Sequence, residues 1–208
     1  MDVYYKTLHH ISELNMFSTT GRDVRDFFYD GQGEAYGIEF FLQKKIGRLT
    51  GWAGYALGFI NSQFDRVNRG AWFRPRWDRR HDLKIVGMYK LSDDWDIGAT
   101  FTFQSGQSYT GMTSRVQSSV PGDDISVGVT MPANRYGLRL PPSHQLNVNV
   151  NYHTTLFGLQ TKVLLDIFNV YSRRDIWFRY YNTQRGVTTV EDVRLLPILP
   201  SLAIEMKF

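Results

Sequence analysis

Residues His144–His153 read HQLNVNVNYH. Leu146, Val148, Val150 and Tyr152 fall on one face, and Gln145, Asn147, Asn149, Asn151 and His153 fall on the other. Successive side chains on a strand point to opposite sides, so strict alternation over this length marks a strand with one apolar and one polar face. Trp95–Gln104, WDIGATFTFQ, repeats the pattern, with Trp95, Ile97, Ala99, Phe101 and Phe103 on one face. The C-terminus repeats it again: Leu202, Ile204, Met206 and Phe208 alternate with Ala203, Glu205 and Lys207. Noisier stretches of the same kind cover Val3–Asn15, Glu34–Ile46, Leu49–Phe64, Asp82–Leu91 and Leu159–Tyr181. The reading is all-β, about eight antiparallel strands, with no helix and no linker.

The connections alternate in length. Short ones follow Ile46 (GRLTG), Leu91 (SDDW) and Tyr152 (HTTLFG), and their Gly, Ser and Asp residues suit tight hairpins. Long ones cover Met16–Gly33, Asp65–His81 and Gly111–Ser143, and a shorter fourth covers Asn182–Arg194. One end of the sheet therefore carries tight turns and the other long loops. Outer-membrane barrels have this asymmetry, with short periplasmic turns and longer outer loops. Trp95, Tyr152 and Phe208 stand at the short-turn end, where an interfacial aromatic girdle belongs. Alternation alone does not tell inside from outside, because a soluble sheet would use the same face as its core.

Composition narrows the classes. The chain has 208 residues, 42% hydrophobic and 15% aromatic, enough for a core and unlike a disordered chain. Lys+Arg 24 against Asp+Glu 20 leaves +4, too weak an excess to argue for nucleic acid. The absence of Cys excludes a disulfide scaffold, a Cys-based zinc site and a thiol nucleophile. No apolar run approaches the ~18 residues of a transmembrane helix. The start, MDVYYKTLHHISEL, reads as a strand rather than a signal peptide. A barrel protein must cross the inner membrane first, so the expectation is a chain trimmed or incomplete at its N-terminus.

Several stretches carry a resemblance. Val3–Leu14, VYYKTLHHISEL, resembles a strand that precedes a long outer loop. Gly33–Gly58, GEAYGIEFFLQKKIGRLTGWAGYALG, resembles a G-x-x-Y-G-x-E strand, its tight turn and a G-W-x-x-Y strand. Trp77–Leu83, WDRRHDL, resembles a D-R-R-H strand entry. Asn134–Tyr152 resembles an R-L-P-x-x-H-x-L-D segment, with Asn147 where Asp is usual. Leu164–Asp175, LLDIFNVYSRRD, resembles I-x-N-V-Y-N-R, with Ser172 where Asn is frequent. Five such pieces in order resemble the C-terminal barrel of TonB-dependent outer-membrane receptors, of the kind common in Bacteroidota.

The resemblance implies a barrel of about 22 strands around an N-terminal plug, placed in the cell outer membrane. It implies import of a bulky, scarce nutrient of the siderophore, cobalamin or glycan class, driven by TonB through a box on the plug. The sequence shows no plug and no TonB box, so residues 1–208 read as the C-terminal portion of a receptor barrel. Its expected partners are outer-membrane lipid, the rest of the barrel and plug, TonB only through the missing N-terminal part, and the barrel-assembly machinery. Leu202, Ile204, Met206 and Phe208 resemble the terminal signal that this machinery recognises, an extended peptide pairing with a strand edge. The alternatives are a small complete eight-stranded barrel acting as adhesin or scaffold, and a soluble β-sheet binding protein. A closed eight-stranded barrel would be filled by side chains, with no passage for a large nutrient.

Chemistry-bearing residues are sparse. The five His show no H-x-x-x-H spacing, and His9 and His10 fall on opposite faces of one strand. Ser143–His144 follows Pro141–Pro142 and has the look of a turn, and there is no G-x-S-x-G. The reading is no enzyme, no metal and no cofactor. The loop Asn68–Arg80, NRGAWFRPRWDRR, interleaves arginines with aromatics. Arg69, Trp72, Phe73, Arg74, Arg76 and Trp77 are therefore the candidate ligand-contacting residues, suited to anionic sugars, siderophore carboxylates or lipid phosphates. Asn147, Asn149 and Asn151 are expected to face a polar lumen.

Overall fold

The alternating stretches become strands because each pairs an apolar row with a polar row at the period of the pleat. The computed structural model describes residues 1–15, 23–119, 126–132, 134–184 and 187–207. The strands are β1 (Asp2–Leu14), β2 (Phe28–Lys44), β3 (Leu49–Phe64), β4 (His81–Lys90), β5 (Trp95–Gln104), β6 (Ser108–Tyr109) and β7 (Met112–Ser119). They continue with β8 (Ser126–Pro132), β9 (Leu138–Arg139), β10 (Ser143–Leu156), β11 (Leu159–Phe168), β12 (Ile176–Gln184), β13 (Val187–Arg194) and β14 (Leu199–Lys207). Eight of them form one antiparallel up-and-down sheet in the order β1-β2-β3-β4-β5-β10-β11-β14. The remaining six pair as β6-β9, β7-β8 and β12-β13, all in the long connections.

Register carries the apolar rows across the sheet. Tyr89, Ile97, Val150, Leu165 and Leu202 are successive partners along one row, and Ile85, Phe101 and Leu146 along another. The opposite face runs polar, as in Lys84–Thr102–Gln145 and Gly98–Asn149–Asp166–Ser201. Trp95 and Tyr152 meet at the short-turn end with ring centroids 4.6 Å apart. The turn after β10 lies at Phe157–Gly158, later than expected, since the strand continues through Leu156. Both turn residues have positive φ, 54° and 80°, the geometry that matches the twist of a two-residue hairpin.

Among the described residues, nothing covers the apolar face. Val3, Leu42 and Leu202 are 71%, 75% and 70% exposed. Phe64, Val67, Pro75 and Leu140 are buried apolar side chains among the described residues, all near the long loops. The chain exposes 14785 Å², whereas a compact soluble monomer of its mass exposes about 10,000 Å². Within the described residues, that face does not form a buried core. The sheet is also open: β1 and β14 are its two edges, and no described pairing joins them. The expected closure into a barrel is therefore not made by these eight strands alone, and each edge keeps its outward backbone groups unpaired.

Further boundaries differ from the sequence reading. Strand β11 stops at Phe168 rather than running to Tyr181, because Asn169 turns into the left-handed region at φ 54°. The segment beyond it forms β12, whose hairpin partner β13 occupies the expected loop Asn182–Arg194. Strand β2 starts at Phe28, inside the expected first loop. The expected Gly111–Ser143 loop holds the β7–β8 hairpin and β9. Strand β1 also carries a bulge between Leu8 and Ile11 that puts an extra residue opposite β2. It brings both Leu8 and Ile11 beside Gly33, where a Cβ would meet Ile11 at 3.2 Å and Leu8 at 3.5 Å.

The two faces predict different tolerances. In the full protein carrying this chain, placed in lipid vesicles, Val148→Arg on the apolar face lowers folding stability by about 2–4 kcal/mol. Thr100→Arg on the opposite face changes it by less than about 1 kcal/mol. Urea titration followed by tryptophan fluorescence measures both, and equal losses would refute the assignment of faces.

Candidate functional site

The long-loop end of the sheet holds the densest side-chain chemistry. The segment after β3 folds back on the sheet. The Ser62 N–H donates to the Phe73 carbonyl at 2.8 Å, and the Phe73 N–H donates to the Ser62 carbonyl at 2.9 Å. The Phe73 ring then lies 5.9 Å from Phe64 and 6.0 Å from Tyr136. Phe64 in turn covers Gly31, where any Cβ would fall 2.3 Å from its ring. Aromatic packing over a strand glycine thus fixes where the loop sits.

A second segment, before β10, is tied to the first strand. Arg135 pairs with Glu13 and donates to the Leu14 carbonyl at 2.7 Å. Their side chains are 13% and 7% exposed, so this ion pair is removed from water. The Tyr136 hydroxyl donates to the same carboxylate at 3.1 Å. Burial and then the Glu13 carboxylate push the Tyr136 hydroxyl up from its ordinary value, keeping it a donor. Asn68 clamps this segment, donating to the Arg135 carbonyl at 3.0 Å and accepting its N–H at 2.7 Å. Arg139 pairs with the buried Asp78 and donates to the Asp78 and Gly106 carbonyls at 2.9 and 2.8 Å.

Between the two segments lies an open cavity of about 410 Å³, with Asn61, Trp72, Phe73, Arg74, Arg135 and Tyr136 among its lining residues. Of the loop residues expected to contact ligand, Trp72, Phe73 and Arg74 line it. Arg69, Arg76 and Trp77 are exposed and lie outside its lining. Arg135 and Arg139 line it too, although the sequence reading did not single them out. Their signal was the run NRYGLRLP before the best strand, which contributes both guanidinium groups. Cationic and aromatic side chains around one space suit an anionic, partly apolar group.

Other clusters at this end are structural. The Asn169 side chain donates to the Arg173 and Leu196 carbonyls at 2.8 and 2.9 Å and accepts the Arg173 N–H at 3.1 Å. Its own N–H donates to the Asn147 side chain at 2.9 Å. Asn147 thus holds the end of β11 as well as belonging to the polar row. Ser143 Oγ donates to Asp175 at 2.7 Å, while the His144 ring meets the Tyr171 hydroxyl at 2.8 Å and Arg173 at 2.6 Å. Serine and histidine there do not address one another. Among the described residues, no three His, Asp or Glu side chains gather as a metal cage. Leu202, Ile204 and Met206 lie exposed on edge strand β14, and Phe208 lies outside the described residues.

The β12–β13 hairpin is locked by a two-pronged pair, Arg179 Nε to Asp192 Oδ1 at 2.6 Å and a second guanidinium nitrogen to Oδ2 at 3.0 Å. Arg179 also reaches the Tyr109 hydroxyl at 3.2 Å. The Arg179 hydrogen bonds hold the Asp192 carboxyl below its ordinary value.

Comparison with known proteins finds no matching family model and no matching curated protein. Among solved structures, the chain is similar to the ferripyoverdine receptor of the outer membrane of Pseudomonas aeruginosa bound to ferripyoverdine. The TM-score is 0.51 at 13% identity, covering 98% of this chain and 24% of that one. The likeness is one of fold, and this chain spans about a quarter of that receptor.

Two predictions follow from these pairs. Arg135→Ala leaves Glu13 buried without its counter-charge and destabilises the loop-end structure by about 3–5 kcal/mol, whereas Glu13→Met with Arg135→Met recovers most of that loss. Limited proteolysis between residues 134 and 140 reads both variants; equal sensitivity would refute the pair's role. The Asp192 carboxyl, depressed in the folded state, stabilises the hairpin fully above its unfolded value. That stability is lost as pH falls through the lowered one. Trp177 fluorescence, with the other tryptophans replaced by Phe, therefore shifts below about pH 4. The shift is smaller in Asp192→Asn, and an unchanged shift would refute the assignment.

Proposed function

We propose that this chain is a wall segment of an outer-membrane receptor of the TonB-dependent kind, lying in the cell outer membrane. The observation that carries the reading is the uncovered apolar face, eight strands wide, backed by a polar face and ending in long, internally tied loops. The fold likeness to a receptor of the outer membrane supports it. So do the five ordered motifs, which favour a parent of the Bacteroidota kind. The segment's own role is structural: it forms barrel wall, presents the loops and carries the assembly signal at Leu202, Ile204, Met206 and Phe208. Its partners are membrane lipid, further strands at the β1 and β14 edges, the plug and the assembly machinery. TonB engages the plug.

The parent imports a large, scarce nutrient of the siderophore, cobalamin or glycan class. The cavity contributes the Arg74 guanidinium as an anion-binding group and the Trp72 and Phe73 rings as stacking groups to it. Catalysis plays no part in this role.

The native size of the polypeptide tests the reading. An antibody raised to Ser143–Phe208 is used to blot the outer-membrane fraction of source cells. The expected band is several times heavier than 24.2 kDa. A band near 24.2 kDa in that membrane refutes the wall-segment role and favours a small adhesin or scaffold barrel. A band confined to the soluble fraction refutes the membrane reading altogether.

A further inference from the structure

We propose that Arg80, seated on Phe59 at the loop-end margin of the apolar face, binds the phosphate of a membrane lipid whose acyl chain lies along that face. The inference rests on the reading that this face meets lipid. The Arg80 guanidinium carbon lies 5.6 Å from the centre of the Phe59 ring. The Arg80 carbonyl accepts the Gly58 N–H at 2.9 Å, which fixes the backbone beside β3. Its Nε is closed off from solvent and has no hydrogen-bond partner. Arg135, Arg139, Arg173 and Arg179 each pair with a carboxylate, but Arg80 has no such pair among the described residues.

A half-buried guanidinium without an anion is costly, and stacking on a ring leaves its hydrogen-bonding edge available. Glu34, in the row of Tyr36 and Ile38, has its two oxygens taken by Tyr5 at 3.2 Å and Asn61 at 2.9 Å. His81 follows Arg80 in the chain. Its Nδ1 meets the Tyr55 hydroxyl at 2.8 Å, and the two rings lie 6.2 Å apart. When Tyr55 donates, the histidine proton resides on Nε2, a second donor beside Arg80.

Chain-binding surface begins at the same ring. An open depression of about 460 Å³ is bounded by Val3, Tyr5, Tyr36, Ile38, Leu57 and Phe59. Tyr5, Tyr36 and Phe59 line up across three strands with successive ring spacings of 6.3 and 5.3 Å. Aromatic rings at the headgroup level, a cation on the outermost ring and an apolar trough beside it match a phosphate joined to an acyl chain. Neither a free phosphate nor an uncharged lipid uses both halves.

The test uses the full protein carrying this chain, purified from the membrane in a nonionic detergent, with bound lipid read by native mass spectrometry. The probes are phosphatidylglycerol, diacylglycerol and inorganic phosphate. Wild type retains phosphatidylglycerol in preference to the other two. Arg80→Gln weakens that retention roughly tenfold, as expected for loss of a charge-assisted contact. Arg66→Gln, at an exposed position in the loop after β3, leaves it unchanged. Phe59→Leu keeps the face apolar and weakens retention to a lesser degree, which covers the case in which Arg80→Gln does not fold. Equal retention by Arg80→Gln and wild type overturns the proposal, as does equal binding of inorganic phosphate. In either case the membrane reading stands if the protein still needs detergent. A protein soluble without detergent overturns both.

Discussion

An apolar sheet face has to be kept from water, and the described residues form no second layer with which to do it. Rows such as Tyr89–Ile97–Val150–Leu165–Leu202 cross strand after strand without meeting a covering element. Side-chain packing therefore contributes little core, and the hydrogen-bonded ladder carries most of the order. On the proposed reading, a membrane would supply that apolar layer, provided the backbone is satisfied. Within hydrocarbon every N–H and C=O needs a partner, which the outward edges of β1 and β14 lack. The same constraint that favours lipid on the face thus calls for further strands at both edges.

Where the face ends, the interactions change in kind. At the short-turn end, connections of two to four residues turn the chain, and Trp95 meets Tyr152 in an aromatic contact. At the other end, long segments are held by charge and hydrogen bonds: Arg135 on Glu13, Arg139 on Asp78, Arg173 on Asp175 and Arg179 on Asp192. Arg135–Glu13 joins a loop to β1, Arg139–Asp78 joins two loop segments, Arg173–Asp175 closes a turn within one loop, and Arg179–Asp192 locks the β12–β13 hairpin. Loops so tied present a defined surface rather than a flexible fringe. Arg80 differs in having a ring beneath it and no carboxylate beside it.

Part of the site was legible in the sequence. Arg–aromatic interleaving located Trp72, Phe73 and Arg74 at the cavity. It also drew in Arg69, Arg76 and Trp77, which the loop turns elsewhere, because interleaving does not say which way a loop residue faces. Arg135 was not legible as a site residue, since its partner Glu13 is 122 positions away. The bulge at Leu8–Ile11 was equally hidden. One extra residue in β1 shows itself only against the register of β2.

The sequence by itself determined the period-two strands, the order of short and long connections and the separation of apolar from polar faces. Those follow from local geometry: side chains alternate on a strand, and Gly, Asp and Ser permit tight turns. Tertiary structure decided the rest. It ended β11 at Phe168, because Asn169 gains partners on Asn147, Arg173 and Leu196 only when those segments converge. It made a hairpin of the expected last loop, through a guanidinium and a carboxylate 13 residues apart. It also left the eight-stranded sheet open, since edge pairing depends on which strands are brought side by side, and alternation within one strand carries no record of its neighbour.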